Sequence, residues 1–171
     1  INRAQLLDGN WNVKPEGNNY FKREKLIVVD KLPPRVVKAR GWDLTSQEVT
    51  AQNKDCDFTA STGMAKCQDG YYYLFSDYHP DNFDSLLEEH GRFRKRVGER
   101  DKIIANQGHL DGSECTIVIP IDPAASGKVA YEELARRLIE QGLSVRPDPS
   151  VVNHNKLRKF TPFSDAVEAG L

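Results

Sequence analysis

The sequence predicts an α/β protein built on a mixed sheet, and three observations lead to this fold class. The β-branched run Cys115–Ile119 is bounded by turn residues, which is typical of a strand buried on both faces. Two further segments flank the turn 68–70, whose Asp-Gly pair indicates a hairpin. Helical periodicity lies before and after the buried run. Strands and helices therefore alternate in the second half of the chain.

The local patterns place the elements in chain order. Predicted strands cover 25–30, the β-rich stretch 35–45, the alternating run 58–67, the aromatic run 70–78, the buried run that ends near Pro120, and 143–146. Predicted helices run from a cap at 80–82 through Ile104, from about 125 to 141 with a stop at Gly142, and from 156 to 169. In the second of these helices Ser126 or Asp122 can cap the first turn.

Composition sets limits on the class of protein. The chain has 171 residues, which fits one domain with a real core, and its formal net charge of −1 gives no overall basic field. No stretch approaches the roughly 20 apolar residues of a membrane span, and the first residues lack a signal peptide pattern. We therefore expect a soluble, intracellular protein that does not act at a membrane.

Cysteine and histidine spacing argues against a metal site of the zinc type. The three cysteines are an odd number at wide spacings and include no Cys-x-x-Cys pair. The four histidines show no spacing typical of metal ligands. These patterns predict free thiols, no disulfide framework and no structural zinc.

The order of elements is that of a ribonuclease H-like mixed sheet: three antiparallel strands, then helix, strand, helix, strand and helix. In that topology the first strand lies beside the fourth. Asp43, on the first β-rich stretch, would then neighbour Asp122, at the exit of the buried strand. Ligand sites in such sheets gather where strands end. Asp43 and Asp122 are therefore candidate site residues.

Two neighbouring carboxylates repel each other unless a cation lies between them. Mg²⁺ or Mn²⁺, which prefer oxygen ligands, would resolve that repulsion and could support phosphodiester hydrolysis, with two ions clamping the attacking and leaving oxygens. Such a site usually includes a third acid. Asp122 could instead be a turn or helix-cap aspartate, and Asp43 could lie exposed at a sheet edge.

The chain resembles the C-terminal nuclease domain of tailed-phage terminase large subunits. The residues that carry the resemblance are 41–44 (Gly-Trp-Asp-Leu), 57–60, 69–72, 121–123 with 126–128 (Ser-Gly-Lys), 155–158 and 166–170. Residues 6–11 also resemble the linker that leaves the ATPase domain of these proteins. The resemblance covers nearly the whole chain, and its specificity comes from the order and spacing of several motifs.

The resemblance implies a metal-dependent endonuclease that cuts concatemeric double-stranded phage DNA during genome packaging in the host cytoplasm. It implies as partners an ATPase domain of the same polypeptide, the small terminase subunit and the portal. We expect residues 1–34 to be a linker from that ATPase domain and 35–171 to be the nuclease domain. The start at Ile1 without a methionine predicts a fragment of a longer protein.

Individual residues match the pattern of the family unequally. Asp43 matches its first catalytic acid, and Asp122 lies where many relatives carry a glutamate or aspartate. The third acid of the family lies in an Asp-Asp stretch for which this chain has no match, so we expect it beyond Leu171. Asp165 and Glu168 could substitute, although their spacing does not favour them.

The predicted DNA contacts are basic residues. Lys156 and Arg158 match positions of the family pattern, and Lys128 with the cluster 92–96 could also line a path for the phosphate backbone. The cluster 92–96 could equally be a solvated helix face. The segment 126–128 does not complete a phosphate-binding loop, because Asp122 and Val129 occupy positions where that motif needs glycine and serine or threonine.

Two alternative functions remain open at this point. Another ribonuclease H-like nuclease, such as a junction resolvase or a transposase core, would use the same acids. A non-catalytic module that grips DNA would instead depend on Lys156 and Arg158 and be indifferent to Asp43 and Asp122.

Overall fold

The computed structural model describes residues 25–45, 49–75, 92–123, 126–149 and 156–171, without the side chains of 156–159. The chain divides into two compact units, Leu32–Val151 and a unit that combines Ile1–Lys31 with Val152–Leu171. The larger unit holds a mixed sheet with helices, which confirms the α/β class. The linker at 1–34 and the domain at 35–171 stay predictions.

The described strands are β1 (Val37–Asp43), β2 (Thr59–Lys66), β3 (Tyr72–Phe75), β4 (Arg92–Phe93), β5 (Cys115–Ile119) and β6 (Ser144–Pro147), and the described helices are α1 (Val97–Asp111), α2 (Gly127–Glu140) and α3 (Lys156–Ala169). The strand order is β3-β2-β1-β5-β6, and β4 pairs with β2. Strand β2 is antiparallel to β1, β3 and β4, whereas β5 is parallel to both β1 and β6. The predicted adjacency of the first strand and the buried run is confirmed.

Most element boundaries agree with the sequence patterns. The hairpin between β2 and β3 turns at Gly70, whose φ of +96° is a conformation that glycine adopts without strain. The Gly70 N–H donates to the carbonyl of Cys67 at 3.1 Å, which closes the turn. Helix α3 has the predicted bounds, and α2 begins two residues later than predicted.

Two predicted elements differ from the structure. The predicted strand 25–30 is wrong, because Leu26–Val29 form no strand there and their side chains are exposed. The predicted helix from 80 to 104 is wrong at 92–96, where Arg92 and Phe93 form β4 opposite Ala60 and Thr59. Phe93 fits a helical spacing in the sequence, but the pairing with β2 buries it completely. The first part of that predicted helix, together with 76–78 of the predicted third strand, lies outside the described residues.

Alternation along β1 gives the sheet two different faces. Arg40 and Trp42 are buried, whereas Gly41 and Asp43 are exposed on the opposite face. The face that bears Gly41 and Asp43 is called the open face below. Thr62 of β2 pairs with Gly41 and is exposed there as well.

The hydrophobic core lies on the face opposite to the open face. Ile117 and Ile119 of β5 pack there with Trp42 and with side chains of α1 and α2, among them Ile103, Ile104, Leu134 and Leu138. Trp42 and Phe93 meet edge to face, with 6.1 Å between ring centroids. Both described helices of the larger unit therefore contribute to one core.

A buried ion pair lies within this core. The Arg40 side chain is 1% exposed and its partner Asp111, the last residue of α1, is 6% exposed. Arg40 Nη2 donates to Asp111 Oδ1 at 2.9 Å, Nη1 donates to Ser61 Oγ at 3.1 Å, and Gln107 Nε2 also donates to Asp111. The pair joins the central strand to the end of α1 with most of its hydrogen-bonding capacity used.

A second ionic cluster joins the two helices. Asp101 of α1 accepts hydrogen bonds from Arg100 at 2.8 Å and from Arg137 of α2 at 3.0 Å. Arg100 also donates to the carbonyl of Thr45, at 3.2 Å. Asp101 therefore holds α2 against α1, and Arg100 connects α1 to the segment after β1.

The smaller unit contains α3. Leu171 donates its N–H to the carbonyl of Ala166 at 3.0 Å where α3 ends, and Gly170 has a φ of +77° there. Lys25 pairs with Glu168 at 2.7 Å within the same unit. Pro162 lies inside α3 and cannot donate a backbone hydrogen bond.

We predict that Asp111→Ala lowers the free energy of unfolding by about 3–5 kcal/mol, because it leaves the buried Arg40 guanidinium without its partner. Urea denaturation measures this change. The double variant Arg40→Met with Asp111→Leu should recover much of the loss, since two apolar side chains need no partner there. Glu114→Ala is the control, because it removes only the exposed pair with Lys38 and should have a much smaller effect. A loss in Asp111→Ala no larger than in Glu114→Ala would contradict the prediction.

We predict that the Cys115 thiol makes stability depend on alkaline pH. Burial, and then the negative charge of Asp111, raise the pKa of Cys115 from 9.0 to about 11. The unfolded chain therefore releases this proton first, and stability should fall as the pH rises from about 9 to about 11. Urea midpoints at pH 7, 9 and 10.5 measure the effect, and Cys115→Ala should show a weaker dependence over the same range. Equal dependence in both proteins would contradict the assignment to Cys115.

Candidate functional site

Three parallel strands end at one edge of the sheet. Asp43 is the last residue of β1, Ile119 is the last of β5, and Asp148 follows the last residue of β6. In open α/β sheets, ligands bind beyond the carboxyl ends of the strands. This edge is the position at which the sequence predicts a site.

A shallow pocket of about 250 Å³ opens on the open face at this edge. The pocket is lined by three residues of β1 (Gly41, Trp42 and Asp43), three of β2 (Ala60, Ser61 and Thr62), Val118 of β5, and Asp148, which follows β6. Asp43 and Asp148 are its two carboxylates. Both lining strands β1 and β2 are held by a continuous antiparallel ladder that includes the pair Asp43 and Ala60.

The exposure of Asp43 differs from its predicted surroundings. The sequence places this aspartate among apolar residues, which predicts core neighbours, but its side chain lies on the open face while Trp42 is in the core. The alternative prediction, that Asp43 lies on an edge strand, is wrong, because β1 is in the middle of the sheet. A carboxylate exposed in the middle of a sheet is available to a ligand.

Asp148 is a site residue that sequence reasoning missed. Its N–H donates to the carbonyl of Ile119 at 2.8 Å, which extends the ladder between β5 and β6 by one residue. In the sequence, Asp148 follows Pro147 and has the character of a loop residue. The sequence signal that could have identified Asp148 is its position directly after the strand predicted at 143–146. Parallel strands end at the same edge of a sheet, so a residue after this strand lies near the ends of β1 and β5.

Gly41 leaves space on the floor of the pocket. A Cβ atom built on this glycine meets no atom within 4 Å. Its backbone is not in the left-handed region, so the conformation of the strand does not require glycine there. The absence of a side chain at Gly41 and the small methyl group of Ala60 keep the surface beside Asp43 low.

Asp122 lies elsewhere along the exit of β5. It is exposed and does not line the pocket. Its backbone packs against the start of α2, where a Cβ atom on Gly127 would lie 2.0 Å from the Asp122 carbonyl oxygen. Of the two capping residues that the sequence offers, Ser126 occupies the N-cap position of α2, but its side chain makes no capping hydrogen bond, and a capping role for Asp122 stays a prediction. The role of Asp122 in metal binding stays a prediction.

The pocket offers the donor atoms that Mg²⁺ and Mn²⁺ prefer. Asp43 and Asp148 supply carboxylate oxygens and Thr62 carries a hydroxyl group on the open face, whereas the Ser61 hydroxyl accepts a hydrogen bond from Arg40 on the opposite face. Mg²⁺ is commonly held by one or two carboxylates, with water and substrate phosphate completing its shell. In the part of the chain that the structure describes, no three His, Cys, Asp or Glu residues form a group that could hold a metal. The donor set therefore fits a cation with few protein ligands.

The acids considered as substitutes for a third ligand lie in the smaller unit. Glu168 is paired with Lys25, and Asp165 is exposed on α3. The three cysteines are free, as predicted. His109 lies in the last turn of α1, whereas His79, His90 and His154 are outside the described residues.

The basic residues divide into two groups. Arg92 and Arg94 were predicted to lie on a helix, but Arg92 is in β4 and Arg94 follows it, before α1 begins. Their guanidinium carbons lie 4.3 Å and 3.8 Å from the centroid of the Phe58 ring. Arg92 is exposed and pairs with Ala60, so alternation places it on the open face in the same row as Asp43. The Arg92 guanidinium therefore lies on the same face as Asp43.

The predicted DNA contacts belong to α2 and α3. Lys128 is exposed near the start of α2 and lies 3.7 Å from Glu132. Lys156 and Arg158 lie in the first turn of α3, and their side chains are outside the described residues. Their proposed contacts with DNA stay predictions.

Comparisons of the chain with protein-family models, with curated proteins and with solved structures found no match. Over the residues that the structure describes, every helix is too short or too polar to span a bilayer.

We predict that adjacent residues of β1 differ sharply in their contribution to stability. Asp43→Asn should change the free energy of unfolding by no more than about 0.5 kcal/mol, because the side chain is exposed. Trp42→Ala should lower it by about 3–5 kcal/mol, because the indole is in the core. Urea denaturation of both variants measures the difference. A large loss in Asp43→Asn would show that this aspartate is structural.

Proposed function

We propose that the chain is the metal-dependent endonuclease domain of a viral terminase large subunit, with a ribonuclease H-like fold and double-stranded phage DNA as its substrate. The observation that carries the proposal is the pairing of β1 with β5 in a sheet of order β3-β2-β1-β5-β6. This is the adjacency that the resemblance implies. It puts Asp43, the match to the first catalytic acid of that family, at the carboxyl edge of three parallel strands.

Asp43 supplies the first carboxylate for one or two Mg²⁺ or Mn²⁺ ions, and Asp122 is the second ligand that the resemblance implies. These carboxylates would hold the ion, which would lower the pKa of a bound water and stabilise the charge that develops on the phosphate. The ladder between β1 and β2 fixes the Asp43 backbone, which limits the positions that its carboxylate can take. Gly41 leaves room beside Asp43 for a phosphodiester group.

Basic side chains provide contacts with the DNA backbone. Arg92 lies on the open face in the same row as Asp43, and its guanidinium, which stacks on the Phe58 ring, adds positive charge to this face. Lys128, Lys156 and Arg158 are the contacts that the sequence assigns. In the proposed protein, this domain acts with an ATPase domain of the same polypeptide, the small terminase subunit and the portal, in the host cytoplasm.

A DNA-gripping module is the second candidate function. It is favoured by one observation: the described residues contain no group of three metal-binding side chains, whereas nucleases of this kind usually have three acids. A gripping module would bind DNA through its basic residues and would not need Asp43. Another ribonuclease H-like nuclease, such as a resolvase or a transposase core, would share the chemistry and differ in the DNA structure that it cuts.

We predict that the chain nicks supercoiled plasmid in Mn²⁺ and that Asp43→Asn reduces the rate at least about a hundredfold, since an amide cannot replace the carboxylate as an anionic ligand. Gel electrophoresis of the plasmid over time measures nicking. Asp69→Asn is the matched control: it makes the same change in the hairpin, where Asn keeps an oxygen to accept the Tyr71 N–H.

Three outcomes of this assay separate the candidates. Nicking that requires Mn²⁺ and Asp43 but not Asp69 supports the nuclease. Nicking that persists in Asp43→Asn rejects Asp43 as its centre. Plasmid that is bound but uncut, with binding lost in Lys156→Ala with Arg158→Ala, supports the gripping module.

A further inference from the structure

We propose that two copies of this chain associate by exchanging a strand. Residues 26–30, called the donor segment below, add to the outer side of β3 in the second copy and run antiparallel to it. The outer side of β3 is the side away from β2. This association does not depend on the proposed nuclease function, because it uses neither the pocket nor Asp43.

The donor segment has the composition of a strand but belongs to no sheet in this chain. Leu26–Val29 are four consecutive apolar residues, three of them β-branched, and they form neither a helix nor a strand. The side chain of Ile27 is 87% exposed and that of Val28 is 94% exposed. A contiguous run of exposed apolar side chains is typical of a surface that a partner covers.

The two edges of the described sheet differ in their protection. At one edge, β6 includes Pro147 and is soon followed by Pro149, and proline has no N–H with which to pair another strand. At the other edge, Tyr72–Phe75 contain no proline and no charged residue. Among the described strands, β3 pairs with β2 alone. The β3 edge is therefore the one that can accept a further strand.

The apolar residues of the donor segment match those of β3 in one antiparallel register. When Val28 lies opposite Leu74, an apolar residue of the donor segment also lies opposite Tyr73 and opposite Phe75. Val28 and Leu74 then share the open face, where Leu74 already pairs with Met64 of β2. Cross-strand pairs of aromatic and β-branched side chains stabilise such a ladder.

Charge complementarity selects the same register. It places Asp30 opposite Tyr72, which pairs with Lys66 in the ladder between β2 and β3. The Lys66 Nζ atom lies 5.0 Å from the centroid of the Tyr72 ring, so this cation leans over β3 toward its outer side. Asp30 and Lys66 then lie in one row on the same face. A shift of one residue would move Asp30 to the opposite face and lose this attraction.

The connection between the donor segment and β1 favours a second copy as the acceptor. It contains Pro33 and Pro34, which restrict the chain to extended conformations, and Arg35 has a φ of +60°, which is strained for a residue with a side chain. A stiff and strained connection resists the reversal that would bring the donor segment to β3 of the same chain. Such connections favour the exchange of an element between identical chains.

Exchange between two copies is reciprocal and therefore closes at a dimer. Each copy donates one segment and accepts one, and the two additions are related by a two-fold axis. Together they would bury on the order of 1,000 Å² of surface, which is at the lower limit for a specific interface. We therefore expect a dimer with a dissociation constant of micromolar order.

The proposal is tested first by sedimentation equilibrium of the chain at several concentrations. We expect a monomer–dimer equilibrium whose dissociation constant rises at least about tenfold in Val28→Lys and in Leu74→Lys, because each puts a charge into an apolar pair. Leu110→Lys is the matched control, since Leu110 is exposed on α1. Asp30→Lys and Lys66→Asp should each weaken the dimer, and the double variant should recover it. Circular dichroism should show that all variants are folded.

Disulfide formation identifies the chain that accepts the donor segment. Val28→Cys on one chain and Leu74→Cys on another should form a cross-linked dimer on a non-reducing gel when the two are mixed, because the register places them directly opposite. Each single variant alone is the control for reaction with the native thiols.

Three results would overturn the proposal. A chain that stays monomeric up to about 100 μM has no dimer of the expected strength. A dimer that Val28→Lys and Leu74→Lys leave unchanged uses another surface. A chain carrying both cysteines that forms the disulfide only within a monomer has its own β3 as the acceptor. None of these results bears on plasmid nicking, so the proposed nuclease function stands or fails separately.

Discussion

The arrangement of the sheet depends on a charge buried in its central strand. Arg40 is fully buried, and a buried guanidinium is tolerated only where an anion and hydrogen-bond acceptors surround it. Asp111, at the end of α1, provides that anion. Because β5 begins only four residues after Asp111, the ion pair brings the start of β5 beside β1. Lys38, which pairs with Cys115 in the ladder, also donates to the Asp111 carbonyl at 2.7 Å, so the same residue helps to set the parallel register.

That register gives β1 two roles on opposite faces. Arg40 and Trp42 connect the strand to the core, while Gly41 and Asp43 form part of the pocket. A shift of one residue would exchange these faces, exposing the arginine pair and burying Asp43 without a partner. The Arg40–Asp111 pair therefore also keeps the candidate site on the open face.

The sequence predicted the features that depend on local pattern. Cys115–Ile119 was recognisable as a buried strand because its β-branched run is short and bounded by turns, and Asp69 with Gly70 marked the hairpin. Phe93 was misjudged because its spacing suits a helix, and only pairing with Thr59, 34 positions earlier, makes it a strand residue. The burial of Arg40 was also beyond local pattern, since it requires an acid 71 positions away.

The candidate site also includes one residue that the sequence could predict and one that it could not. Asp43 could be selected from sequence, because a carboxylate within a β-rich stretch is unusual. Asp148 could not, because its position follows from two successive registers, β1 with β5 and β5 with β6. Asp122 follows β5 itself and was the nearer choice in the sequence, yet it lies beyond Pro120 and packs against the first residue of α2. The ladder therefore places Asp43 and Asp148 on the open face of the sheet, whereas Asp122 lies in the turn before α2.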